Sequence, residues 1–216
     1  MKKLKTQADV IEAVRPVYHQ GGTDRAIAEL AQATHRLTVR RVRDVLPGKI
    51  ETRRLVLRAP IRGDVPDLIR LANNKSIADR LVRLPHPYTR ADAVGFVEIV
   101  SQRADERPYA ITLDEHLVGV IGFSFRAGDA PELGYWLGEP HWGNGLMTEA
   151  GRALIDAAHR THQYELIVAR ALEDNAASLR VLEKLGFHRA SKAKTRRAQT
   201  GDKPLVLLEL ERPRWM

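Results

Sequence analysis

The chain has 216 residues, 44% hydrophobic and 29% charged, with a formal net charge of +8. This is enough for one ordinary domain with a full core and an appendage. With no cysteines, disulfides, thiolate metal sites and a cysteine nucleophile are excluded, though the compartment stays open. No apolar run approaches the ~18 residues of a spanning helix and no signal-peptide pattern is present, so a cytoplasmic chain without a membrane partner is the simplest expectation.

Residues 1 to 50 hold ten Lys and Arg against five acids, and so carry +5 of the total charge. The region 1–49 reads as a basic helical extension. Val10, Ile11, Val14 and Val17 share one face of a first helix, which Gly21 and Gly22 break. Thr23 or Asp24 caps a second helix, with Ile27, Leu30, Ala31 and Thr34 on one side. A third, Thr38 to Leu46, sets Val39, Val42, Val45 and Leu46 against Arg40, Arg41 and Arg43, and Pro47 and Gly48 end it. Its apolar face must pack on the main domain or on a second copy, giving a homodimer. Two short helices before an arginine-rich one also hint at a helix-turn-helix. No glycine sits in the turn at His35, Arg36 and Leu37, so a docking or dimerisation arm is preferred. Its charge favours an anionic partner.

A second unit spans 50–213. Leu55, Leu57 and Ala59 alternate with Arg54, Val56 and Arg58 as in a strand. Asp64 to Asp67 starts a helix that runs through Ala72, and Thr89 to Asp92 caps another that runs through Phe96, Ile99 and Val100. Tyr109 to Leu113 and Leu117 to Phe123 form a hairpin. In the next strand, Glu132 to Leu137, Glu132, Gly134 and Trp136 share one face unless a bulge intervenes.

A glycine turn follows, Trp142 to Met147, and a helix opens near Thr148. A helix N-terminus holds unpaired N–H groups and about half a positive charge, so it attracts phosphate without a basic side chain. Gly143 and Gly145 allow positive φ or a close approach to the backbone, though a bare strand-to-helix turn uses glycines in the same way. After a strand from Leu166 to Arg170, Asn175 to Ser178 opens a helix with Ala176, Leu179, Val181, Leu182 and Leu185 placed in one stripe, and Gly186 closes it. Asn175 suits an ordinary cap. The last strand runs from Leu205 to Leu210. The basic run Arg189, Lys192, Lys194, Arg196 and Arg197 precedes it, as a solvated turn or a contact for phosphate. His141 beside the loop could also meet phosphate, while His159 and His162 lack a third ligand, so no metal is expected.

The series from Glu132 to Leu137, from Trp142 to Ala150 and from Asn175 to Phe187 resembles the GNAT N-acetyltransferase superfamily. More narrowly, it resembles the branch that includes the ribosomal-protein alanine and serine acetyltransferases (RimJ/RimL-like), and the likeness covers roughly Glu51 to Arg212. It implies an α/β GNAT fold, a mixed, splayed sheet of six or seven strands flanked by helices. It also implies acetyl-CoA as co-substrate and direct acetyl transfer to a primary amine. In such a fold a bulge splays the strand of Glu132, and Trp136 and Leu137 offer backbone groups to the pantetheine arm. The turn would hold the diphosphate through Trp142, Gly143, Asn144, Gly145, Leu146, Met147 and Thr148, with Trp142 and Met147 departing from the family's pattern. Asn175 would bond the pantetheine amides, Ser178 would stand at the sulfur as acid, and Glu132 would be the base. Read alone, Glu132 suits a salt-bridged strand acid and Ser178 a helix-surface serine equally well. The region from Ile77 to Tyr88 would border the acceptor, a protein N-terminus first and a small amine such as an antibiotic or polyamine second. The alternative is a non-catalytic CoA-binding or nucleic-acid-tethered module.

Overall fold

A computed structural model of the chain describes residues 46–81, 83–126, 129–161, 164–190 and 204–212. The three expected helices of the basic extension, the helix-turn-helix reading, His162 and the run from Lys192 to Arg197 lie outside the described residues.

In chain order the elements are β1 (Lys49–Glu51), β2 (Val56–Arg58), α1 (Val65–Ala72), α2 (Lys75–Ala78), α3 (Arg90–Glu98), β3 (Glu106–Leu113), β4 (His116–Ser124), β5 (Glu132–Leu137), α4 (Leu146–Arg160), β6 (Leu166–Leu172), α5 (Ala176–Lys184), β7 (His188–Arg189) and β8 (Leu205–Glu211). They build one mixed sheet in the order β1-β2-β3-β4-β5-β6-β8-β7. The described residues thus hold eight strands where six or seven were expected. β1 and β7 have only three and two residues, too few for alternation to show in sequence.

Local chemistry accounts for the boundaries. Thr89 accepts a bond from the Asp92 amide while Asp92 reaches back to the Thr89 amide, the reciprocal cap that starts α3. Asn175 caps α5 by accepting from the Ser178 amide. Two apolar layers sandwich the sheet. Leu133, Leu137, Leu146, Met147, Ala150, Leu154, Ile167 and Leu182 join one core, beneath α4 and α5. Val65, Leu68, Tyr88, Ala93, Val97 and Val120 form the other, beneath α1 and α3, with Trp136 packed against it. Each fully buried aliphatic side chain contributes roughly 1.5–3 kcal/mol. Leu46 is buried with the first core, and Tyr109 donates its hydroxyl to the Pro47 carbonyl at 2.6 Å, so the chain is tied to the sheet just before β1.

β5 positions the site. Against β4 it pairs antiparallel without a break, from Ser124↔Glu132 to Gly119↔Leu137. Against β6 it pairs in parallel only at Glu132↔Val168 and Leu133↔Ala169. β6 stays with β8 over seven pairs, Leu166↔Glu211 to Leu172↔Leu205, so the longer ladder carries it away from β5. The expected bulge is not in β5's ladder with β4; the recorded register shift lies between Ile111 and Thr112 of β3. The sheet opens all the same, from Gly134 onward.

Candidate acetyl-CoA site

Past β5 a short 3-10 turn, Glu139–His141, leads into the glycine turn. Gly143 (φ 77°) and Gly145 (φ 72°) both occupy the left-handed region, where a Cβ would be strained. Gly145 is the N-cap of α4 and supplies no side-chain cap. The amides of the first turn and the positive end of a 15-residue helix are thereby turned to the cleft, as an anion requires. Gly143, Gly145, Leu146, Met147 and Thr148 line that cleft. Leu146 and Met147 bury their side chains in the core, at 3% and 6% exposure, so they can offer only backbone, and Met147 does not obstruct the loop. Asn144 turns its amide back to the His141 and Trp142 carbonyls. The Trp142 indole N–H donates to the Leu137 carbonyl at 2.7 Å, which makes Trp142 a brace between β5 and the loop.

Sequence reasoning missed a second brace. Glu149, in the first turn of α4, accepts from the Thr52 hydroxyl at 2.7 Å and from the Arg54 amide at 2.9 Å and guanidinium at 2.7 Å. Arg54 also donates to the Asn144 carbonyl at 3.0 Å. Burial pushes the Glu149 carboxyl up, but the bonds from Thr52 and Arg54 outweigh it and hold the group below its ordinary range. The partners lie 95 or more residues apart in sequence, so no local pattern announces them.

The splay holds the remaining candidates. Glu132 pairs with Arg170 of β6, and Arg126 stands 4.0 Å away; both contacts fall on Oε2. Gly134 shares its face, is exposed, and a Cβ there would meet nothing within 4 Å. On the opposite face Tyr135 reaches α5, its hydroxyl 2.9 Å from Ser178 Oγ and 3.2 Å from the Ser178 carbonyl. Burial pushes the Tyr135 hydroxyl up to about 12 against a smaller opposing effect of Ser178, so it remains protonated at neutral pH. Asn175 Oδ1 accepts from the Ser178 amide at 3.2 Å and from Arg80 of the loop after α2 at 3.3 Å. Glu132, Gly134, Trp136, Leu137, Trp142, Asn175 and Ser178 therefore line one cleft of about 1290 Å³. Tyr135, Arg170, Arg54 and Glu149 are the residues the motifs did not single out. His141 also lines the cleft, whereas His159 is buried near the far end of α4. Among the described residues no group of three or more His, Asp or Glu could hold a metal, and no helix is long and apolar enough to cross a membrane.

The residues fit acetyl-CoA: an uncapped helix N-terminus behind two left-handed glycines for the diphosphate, an open sheet for the pantetheine arm, and a hydroxyl pair at its depth. Comparison with known proteins agrees. The model of the acetyltransferase (GNAT) domain matches residues 54–188. The chain belongs to the GNAT acetyltransferase family.

Among curated relatives, the probable N-acetyltransferase YjcK of Bacillus subtilis (strain 168) is 38% identical over 79 residues, 35% of this chain and 44% of that protein. The ribosomal-protein-serine acetyltransferase of Escherichia coli (strain K12) is 32% identical over 101 residues, 46% of this chain and 56% of that protein. These matches span about half the length of the relatives. The structure of RimL, a ribosomal alpha-N-protein acetyltransferase in complex with coenzyme A, superposes with TM-score 0.67 at 23% identity, covering 76% of this chain and 97% of that one. This likeness is one of fold.

Proposed function

We propose that the GNAT domain acetylates the α-amino group of a protein or peptide at the opening between β5 and β6. The reading rests above all on one observation: β5 and β6 part after Leu133↔Ala169, beside the glycine-capped start of α4. In this reading the first-turn amides bind the diphosphate, Asn175 meets the arm, and Ser178 hydrogen-bonds the departing sulfur. Glu132 takes the amine proton, directly or through water, at Oε1, since Arg170 and Arg126 both face Oε2.

Charge around the cleft supports an α-amine over a polyamine. Its acidic lining residues are Asp92, Glu106 and Glu132. Arg83 pairs with Glu106 and Arg170 with Oε2 of Glu132, and Arg80, Arg103, Arg126, Arg180 and Lys184 also line the cleft, so its net positive lining disfavours a polycation. An α-amine, at about 7.7–8.0, is also far more often unprotonated near pH 7 than an alkylamine at about 10.4. The RimJ/RimL-like resemblance points the same way. Calorimetric titration with acetyl-CoA, then thiol-release assays against peptides, polyamines and aminoglycosides, tests the reading. Binding with turnover on free peptide N-termini is expected; binding with turnover on polyamines alone would replace the acceptor, and no binding would end the proposal.

A further inference from the structure

We infer that Tyr135 is the positioning residue that aims the Ser178 hydroxyl proton into the β5–β6 opening; this rests on the acetyl-transfer reading above. Three observations place it there. Tyr135 follows the last β5–β6 pair by two residues, so its ring spans the gap where the sheet has come apart and reaches α5. Its hydroxyl lies 2.9 Å from Ser178 Oγ. Both residues line the same cleft.

A serine hydroxyl has one proton and two lone pairs, and a tyrosine hydroxyl can donate as well as accept. The Tyr135 hydroxyl is near two acceptors, Oγ and the Ser178 carbonyl, with Oγ the closer. Inside α5 that carbonyl already faces the amide four residues on. In the arrangement we infer, Tyr135 donates to Oγ across the 2.9 Å contact, which occupies a serine lone pair and turns the serine proton outward. The buried phenol does not ionise at working pH, as its raised range requires, so it stays a donor throughout. Ser178 lacks the freedom of a surface serine: its amide donates to Asn175 and its hydroxyl is hydrogen-bonded to that of Tyr135.

The consequence concerns the leaving group. As the amine lone pair forms the C–N bond, the C–S bond breaks and its electron pair goes to sulfur. One proton leaves the amine and one reaches the sulfur or its solvent, and the two hydroxyls end the turnover as they began. The pair's task is to hydrogen-bond negative charge at sulfur while it exists. Charge-assisted hydrogen bonds are roughly twice as strong as neutral ones, so the pair matters more as the thiolate leaves than in the ground state.

The test compares the full chain with Tyr135→Phe, Ser178→Ala and the double variant. Phenylalanine keeps the ring, and a melting curve confirms the fold. Two readouts are taken: steady-state thiol release, and the pH dependence of the ultraviolet thiolate absorbance of bound CoA. We expect Tyr135→Phe to lower kcat about fivefold, the effect of one lost hydrogen bond between neutral groups, with KM for acetyl-CoA changed less than about twofold. Bound CoA should ionise at higher pH in both single variants, and the double variant should be no worse than Ser178→Ala alone. Unchanged kcat and unchanged thiol ionisation in Tyr135→Phe, while Ser178→Ala is impaired, would overturn the inference and leave the acetyltransferase reading standing. A wild-type chain that binds no CoA would overturn both.

Discussion

On the α4 side of the cleft the wall is made of backbone: Gly143 and Gly145 in left-handed conformations, a helix N-terminus without a side-chain cap, and side chains such as Trp142, Asn144 and Glu149 that hold main chain in place. Across the cleft from α4 the wall is made of side chains: Arg83 with Glu106, Arg126 and Arg170 about Glu132, Arg80 reaching Asn175. The first arrangement suits a ligand that never changes, because backbone amides recognise phosphate whatever the neighbouring side chains are. The second suits a ligand selected by charge, since exchanging a few charges redirects it.

Filling the opening of β5 between the two walls should have the largest effect. Gly134→Val projects a branched side chain toward the cleft from a position where a Cβ meets nothing within 4 Å. Turnover should fall by more than ~100-fold, the usual result of misplacing reactants by about an ångström, with the melting temperature within a few degrees of wild type. Thiol-release assays beside a thermal melt check both. Next in size, Ser178→Ala should lower kcat by about 10–100-fold, at or below the lower end of what a positioned proton donor supplies, with affinity for CoA retained.

The brace behind the loop should give a smaller effect of a different kind. Arg54→Ala frees the Asn144 carbonyl and one side of Glu149, and KM for acetyl-CoA should rise about fivefold at nearly constant kcat. Glu149 also carries a pH signature. Its carboxyl is held below the ordinary range, so its contribution to stability is complete above that range and is lost as pH falls through the folded-state value. Melting curves from neutral to acid pH should show a shallower acid limb in Glu149→Gln than in wild type.

The smallest effect lies away from the cleft. His159 is 3% exposed, and its Nε2 has no hydrogen-bond partner among the described residues. Burial lowers its proton affinity, Arg212 lowers it further, and Asp156 and Glu165 oppose. Protonation is thus easier in the unfolded chain. Stability is full above the ordinary histidine range and declines as pH falls through it, a slope that His159→Leu should remove.

The same division explains what could be read in advance. Strand β5, the glycine turn and α5 were legible because period-two alternation, Gly143 and Gly145, and the Asn175 cap are local signals. The membership they implied is now shown. Strands β1 and β7 were too short to carry a period. The partners of Glu132, Ser178 and Glu149 were illegible for another reason: Arg170, Tyr135 and Arg54 stand 38, 43 and 95 residues away and meet only because the sheet order joins β5 to β6 and α4 to the β1–β2 turn. Nor does local pattern show that β6 follows β8 and leaves β5 open, since that depends on the relative length of two ladders.

The central claim is that the opening delivers acetyl groups to an α-amine, and one assay meets it directly. Thiol release from acetyl-CoA is measured with a short peptide whose N-terminus is free, and with the same peptide blocked at its N-terminus but carrying an internal lysine. Turnover with the first and none with the second is predicted. Turnover with the blocked peptide, or with neither while acetyl-CoA binds, would contradict it.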